Sequence, residues 1–327
     1  MFLQRMPASD FGIVLGLAGL GGAWRAAHRV WGFPAVIGES LMVVAGVIWA
    51  VLVTGYAAKW LLSREEARAE LEHPVQCCFV GLLGLATSLV SLAGAPYAPG
   101  FARVLFVAGG SFTLAFAIWR TGLLWRGGRD AATTTPVLYL PLVAGGFVTA
   151  AAAAEFGYRD WAQLFFGAGL FAWLAIESVL LHRLYTGPPL APALRPTLGI
   201  QLAPPTVGAM AYLAVAGTGP DLFARALMGY GLLQAVLLLR MLPWIREQPF
   251  TPSYWAFTFG ATALATTPLV MIERGETGAL AIVAPITFVA ANVVVLAVAC
   301  GSILQAIAGL RVTPARIAAS PVTRSST

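Results

Sequence analysis

Side chains able to do chemistry are sparse in the long apolar stretches of this 327-residue chain. Glu177 is the one acid deep inside such a stretch. An intramembrane carboxylate is a functional-site candidate by default, because an unpaired charge there is costly. Two roles are open to it: a proton relay that couples transport, or a carboxylate hydrogen-bonded to a neighbouring helix or subunit. Cys77 and Cys78 adjoin in an apolar run, and Cys300 stands alone. With no second pair at ligand spacing they read as small buried residues rather than a metal or redox site. His28, His73 and His182 all fall near the ends of apolar runs. The signatures H-E-x-x-H and G-x-S-x-G are absent, as are paired intramembrane aspartates and the C-x-x-C spacing. No enzyme, metal site or cofactor is expected.

The remaining polar chemistry is weak and repeated. Helix breakers interrupt the apolar runs: Gly12, Gly16 and Gly19; Gly81 and Gly84; Pro141, Gly145 and Gly146; Pro204, Pro205 and Gly208; Gly260 and Pro268. Small hydroxyls accompany them, among them Thr87, Ser88, Ser91, Thr149, Thr206, Thr258, Thr262, Thr266 and Thr267. Hydroxyls and the amides freed at a kink offer weak positive dipoles, which can replace part of an anion's hydration. Weak sites also let the ion leave, as conduction requires.

The elements carrying these residues are membrane spans. The chain is 59% hydrophobic and 10% charged, against roughly 25% charged in an ordinary soluble domain. Lys59 is its only lysine. The net charge of +6 does not make a nucleic-acid surface, because the basic residues stand singly or in small groups between apolar runs. About 20 apolar residues, rising 1.5 Å each, cross a bilayer. That ruler predicts ten spans, at 8–27, 35–62, 75–94, 99–125, 137–155, 159–183, 197–217, 220–242, 253–272 and 278–309. Arg5 and the run from Phe11 to Trp24 lack a signal-peptide cleavage site and read as the first span. Residues 1–310 form the membrane domain and 311–327 a short polar tail.

Pro7, Pro74, Pro136, Pro196 and Pro252 each precede an odd-numbered span, at intervals of 67, 62, 60 and 56 residues. A proline near the first helical turn loses no needed hydrogen bond. Span, short turn, span and longer linker therefore recur five times, as five helical hairpins. An odd number of same-oriented hairpins cannot form an inverted repeat and suits a ring about a central axis. The breakers sit in the odd spans, whereas the even spans are mostly plain aliphatic. Broken backbone at membrane depth survives only inside protein or beside a water-filled cavity. The expected fold is an all-α integral membrane protein with a quasi-fivefold central pore, odd helices inside and even helices outside. Glu177 falls on an even span, which favours its structural role. Of the twenty Lys and Arg residues, 14 fall on one side and six on the other. The positive-inside bias then puts both termini in the cytoplasm. No odd span carries a Lys or Arg at its middle, and none carries an acidic ring, so a cation channel is disfavoured and small anions are the natural permeant class.

Several weak motifs run through the chain in order. They include Asp10-Phe11-Gly12-Ile13-Val14-Leu15-Gly16, Tyr139-Leu140-Pro141, Leu164-Phe165-Phe166-Gly167-Ala168-Gly169, Gly199-Ile200-Gln201-Leu202-Ala203-Pro204 and Trp255-Ala256-Phe257-Thr258-Phe259-Gly260. With them the chain resembles the bacterial tellurite-resistance/dicarboxylate transporter family, to which plant slow-type anion channels are distantly related. The resemblance implies a homotrimer in the bacterial inner membrane, each protomer with its own pore, and an aromatic side chain plugging that pore midway. The plug falls on Phe259; Gly12 faces the same constriction and Gly260 follows the plug. On the residues alone, Phe259 reads as an ordinary core aromatic. The implied function is a gated passive channel for chloride, nitrate and similar monovalent anions. The alternative is a proton-coupled transporter or exporter of dicarboxylate, tellurite or other oxyanions. The linker Arg64 to Pro74 matches the family only loosely, and the tail lacks the phosphorylation domains of the plant channels.

Overall fold

The computed structural model describes residues 6–217 and 219–307, which are helical throughout with no strand. Ten long helices follow one another: α1 (Phe11–Trp31), α2 (Ala35–Leu62), α3 (Cys77–Gly94), α4 (Pro99–Leu124), α5 (Pro136–Glu155), α6 (Arg159–Thr186), α7 (Pro192–Ala216), α8 (Leu222–Ile245), α9 (Pro252–Glu273) and α10 (Ala279–Ile307). Among the described residues nine helices, α2 to α10, are long and apolar enough to cross a bilayer. In α1, which has 21 residues, the glycines together with Arg25, His28 and Arg29 dilute the hydropathy. Observed bounds fall within a few residues of the expected spans. A short linker helix, Arg64–Glu72, was not expected. Residues 311–327, expected to form the polar tail, lie outside the described residues.

The odd helices are irregular at or near their proline-led ends. Ala8–Asp10 is a 3₁₀ turn ahead of α1, and a turn at Gly81 divides α3. Helix α5 opens with 3₁₀ turn Pro136–Leu138 and one π turn, Leu140–Ala144. Helix α7 opens with a 3₁₀ run over Pro192–Leu202, and α9 with another over Pro252–Phe257. Runs of 3₁₀ beyond three or four residues are uncommon, and π turns are rarer still. Prolines occupy the first turns of α5, α7 and α9 because no amide donor is needed there. Regular α-helix starts at Phe11, Leu82, Gly145, Ala203 and Thr258.

Burial separates the two classes of helix. In α3, α5, α7 and α9, 61–83% of the most apolar window is buried, against 17–39% in the even helices. The odd helices also contact one another in a closed cycle, α1–α3–α5–α7–α9–α1, and each even helix packs on the odd helix before it. Small residues make these close approaches possible. Gly146 of α5 lies against Gly169 of α6; a Cβ added there would stand 3.0 Å from the Gly169 Cα. Thr113 of α4 is wedged between Gly84 of α3 and Gly145 of α5.

Candidate pore and its lining

Where regular α-helix begins, the five odd helices converge on one cavity. Its wall includes Gly12 of α1, Phe79 of α3, Ala144 of α5, Ile200 and Ala203 of α7, and Phe259 of α9. The lining carries no charged side chain. Its polar groups are the hydroxyls of Ser9 and Ser253 and the indole of Trp255, whose N–H donates to Ser302 Oγ at 3.0 Å. A second, apolar cavity shares Ala144, Ile200 and Ala203 with the first and extends to Tyr139, Phe147, Pro204 and Val207.

Phe259 is half-buried on the first turn of regular helix in α9, and its carbonyl accepts a hydrogen bond from Thr262 Oγ1 at 2.9 Å. Immediately after it, a Cβ on Gly260 would stand 2.8 Å from the Leu202 Cβ and 2.9 Å from the Ala203 amide nitrogen. Glycine therefore lets α9 press against α7 directly behind the phenyl ring. Gly12 shares the Phe259 cavity, and the one neighbour its added Cβ would meet is the Trp255 Cβ at 3.4 Å.

The other sequence-selected residues are distributed differently. Gly16 packs against Thr258, and Gly19 against Thr262, in the seam between α1 and α9. Both threonines are fully buried, and their hydroxyls are bound to their own backbone, Thr258 to the Trp255 carbonyl at 2.8 Å and Thr262 to that of Phe259. Pro141 is buried in the π turn of α5, and Pro204 lines the second cavity. Glu177 is not among the residues that line either cavity, although its partner Tyr139 lines the second. Its carboxylate accepts from the Tyr139 hydroxyl, from the Trp173 indole at 3.1 Å and from the Tyr230 hydroxyl at 2.7 Å. Three donors from α5, α6 and α8 thus compensate its burial, which an unpaired carboxylate could not sustain.

Phe79, Ala144, Ile200 and Ala203 were not singled out from sequence. A usable signal existed, since Gly12, Phe79, Ala144, Ala203 and Phe259 each follow a span-leading proline by five to eight residues.

A model of the family described as voltage-dependent anion channel, SLAC1, matches residues 5–303. Over 261 residues the chain is 39% identical to the tellurite resistance protein TehA homolog of Haemophilus influenzae, covering 80% of this chain and 79% of that protein. It is 25% identical to the S-type anion channel SLAH2 of Arabidopsis thaliana, over 91% of this chain and 58% of the relative. For the guard cell S-type anion channel SLAC1 of the same plant the identity is 23%, over 83% of this chain and 50% of the relative. The chain thus spans about half the length of these plant relatives. With a match that runs from one end of the helical bundle to the other, the chain is a multi-pass membrane protein belonging to the SLAC1/TehA family of anion channels and transporters.

Proposed function

We propose that this protein is a gated, passive channel for small monovalent anions such as chloride and nitrate, with the phenyl ring of Phe259 as the plug. The observation that carries the reading is the uncharged cavity on which all five odd helices converge and whose wall includes Phe259. The ten helices act as five hairpins about a quasi-fivefold pore, a reading supported by the closed contact cycle of the odd helices and by the burial of those helices. The homotrimer, the bacterial inner membrane and the cytoplasmic placement of both termini are taken over from the family resemblance and the charge bias.

A phenyl ring in a narrow apolar constriction excludes water and raises the barrier to any ion. Displacing it needs only a side-chain rotation, for which the bare backbone of Gly12 leaves room. Gly16, Thr258, Thr262 and Gly260 act at one remove, by holding α9 against α1 and α7. A dicarboxylate or tellurite dianion would call for a fixed cation in the wall, and the lining has none. A proton-coupled carrier would need an acid open to the path, whereas Glu177 is enclosed by three donors.

Electrical recording of Phe259→Ala tests the assignment. The expected result is a large rise in chloride or nitrate current, with the reversal potential following the anion gradient and the oligomeric state unchanged. A mutant that folds, assembles and stays silent would remove Phe259 from the path.

A further inference from the structure

On the face of the bundle that bears the basic excess, two guanidinium groups stand near one another, and among the described residues neither is ion-paired to an acid; Asp130 acts on Arg129 only at longer range. Arg120 lies one turn before the end of α4, and Arg129 in the linker that leads to α5. Among the described residues no carboxylate forms an ion pair with either. The nearest acid, Asp130, turns its carboxylate to the Ala132 amide at 2.9 Å. Arg129 donates to the Pro74 carbonyl at 3.0 Å and to the Thr133 carbonyl. The same Pro74 carbonyl lies 3.5 Å from the Cys77 sulfur, and the thiols of Cys77 and Cys78 sit in the field of both guanidiniums. Arg120 and Arg129 also repel one another, and this repulsion adds to the main effect of burial in holding Arg129 below the usual arginine pKa.

Donors at this place are left over. The Nε of Arg120 and the Nε of Arg129 are both buried without an acceptor, and so is the hydroxyl of fully buried Thr135. Thr135 stands two residues beyond the carbonyl that holds Arg129, and the turn it opens, Pro136–Leu138, packs on Cys77–Val80. His73 adds no charge. Its Nδ1 accepts from the amides of Val75 and Gln76 at 3.1 Å each, and burial lowers its pKa. Buried donors are almost always satisfied, and two like charges near one another with no ion-paired acid favour a bound anion. A guanidinium fork matches the oxygen geometry of a phosphate group.

We propose that Arg120 and Arg129, with the Thr135 hydroxyl beside them, form a binding site for a tetrahedral oxyanion, the phosphate of a lipid headgroup or free inorganic phosphate. None of the three residues is among those that line the two cavities, and the site stands or falls independently of the channel reading. Its place at the end of α4, where Trp119 and Trp125 are exposed at the expected interface level, gives lipid access to it.

The test is thermal unfolding of the purified full-length protein in detergent. One arm adds short-chain phosphatidylglycerol against phosphatidylcholine of equal chain length; the other adds inorganic phosphate against chloride at equal ionic strength. Ligand that binds only the folded state raises the midpoint, and a rise of about 3 °C or more is expected near saturation. Among the described residues Arg120 makes no hydrogen bond, so Arg120→Gln removes charge without breaking a hydrogen bond seen there. It should weaken binding about tenfold, as loss of one charge-assisted bond does, while Arg120→Lys keeps part of the effect. A phosphatidylglycerol response without a phosphate response identifies the lipid, and a response to both identifies free oxyanion. If neither ligand stabilises the wild type beyond its control, or if Arg120→Gln retains the full shift, the site does not exist.

Discussion

Glu177 shows what a single residue can and cannot reveal before its surroundings are known. Its depth marked it as costly and therefore purposeful, and its place on an even helix favoured a structural role. Its partners were illegible, because Tyr139 and Tyr230 lie 38 and 53 residues away in sequence and meet it only once α5, α6 and α8 are packed. The geometry separates the two roles by experiment. In Glu177→Gln one oxygen acceptor survives and the charge-assisted component is lost, so the cost should be about 1–3 kcal/mol of stability. Glu177→Leu strands two buried donors, Tyr139 and Trp173, and the half-buried Tyr230, and should cost more. Anion current in Glu177→Gln should persist at symmetrical pH and show no dependence on a proton gradient. Loss of current in a folded Glu177→Gln protein, together with gradient-driven transport by the wild type, would instead make Glu177 a proton relay. The proposed plug residue presents the opposite case. Nothing in the local pattern distinguishes Phe259 from a core phenylalanine; its distinction comes from the resemblance and from the cavity it shares with Gly12.

At the scale of elements, the prolines were informative about where each odd helix begins and silent about how. Hydrophobic periodicity reports which residues are apolar; it does not distinguish α from 3₁₀ or π backbone over one or two turns. Hence the 3₁₀ run Pro192–Leu202 and the π turn Leu140–Ala144 appear only in three dimensions. Nor did the interior glycines and threonines separate into cavity-lining and helix-packing groups, since both uses favour small residues. Thr113 illustrates the packing use. An added Cβ at Gly145 would overlap the Thr113 Cγ2, while its next neighbour, the Leu140 carbonyl, lies at 3.9 Å. Gly145→Ala should therefore destabilise the bundle by about 1–3 kcal/mol, the usual cost of overpacking. Thr113→Ser removes the offending methyl, so the Gly145→Ala/Thr113→Ser double variant should recover most of the loss. A double-mutant cycle measures this coupling directly; additive losses would show that the seam yields elsewhere.

For the whole molecule, charge asymmetry connects the sequence to the direction of insertion. Contacts at the helix ends divide into two sets that do not mix. On one face Lys59 pairs with Glu70, Arg129 binds Pro74 and Thr133, Arg183 binds Ala131 and Pro188, and Arg195 pairs with Glu247. On the other, Arg25 pairs with Glu39, Arg29 with Glu273 and Arg225 with Glu276. Residues from distant linkers thus gather on the faces that the alternation of spans assigned to them. Alternation alone leaves the sign of the orientation open, and the basic excess is the ground for the proposed one: Lys and Arg resist translocation, so a richer face is expected to stay inside. In a background where exposed Cys300 is replaced by Ser, Ala191→Cys and Thr277→Cys place small probes at exposed sites on the two faces. A membrane-impermeant thiol reagent applied to intact cells should label Thr277→Cys at once and Ala191→Cys only after permeabilisation. The reverse pattern would invert the protein and turn the Arg120 and Arg129 pair outward. It would also turn outward the proline-led ends of the odd helices, from which Ser9 and Ser253 line the Phe259 cavity. Orientation therefore determines which face of the proposed plug at Phe259 meets ions from inside the cell and which from outside it.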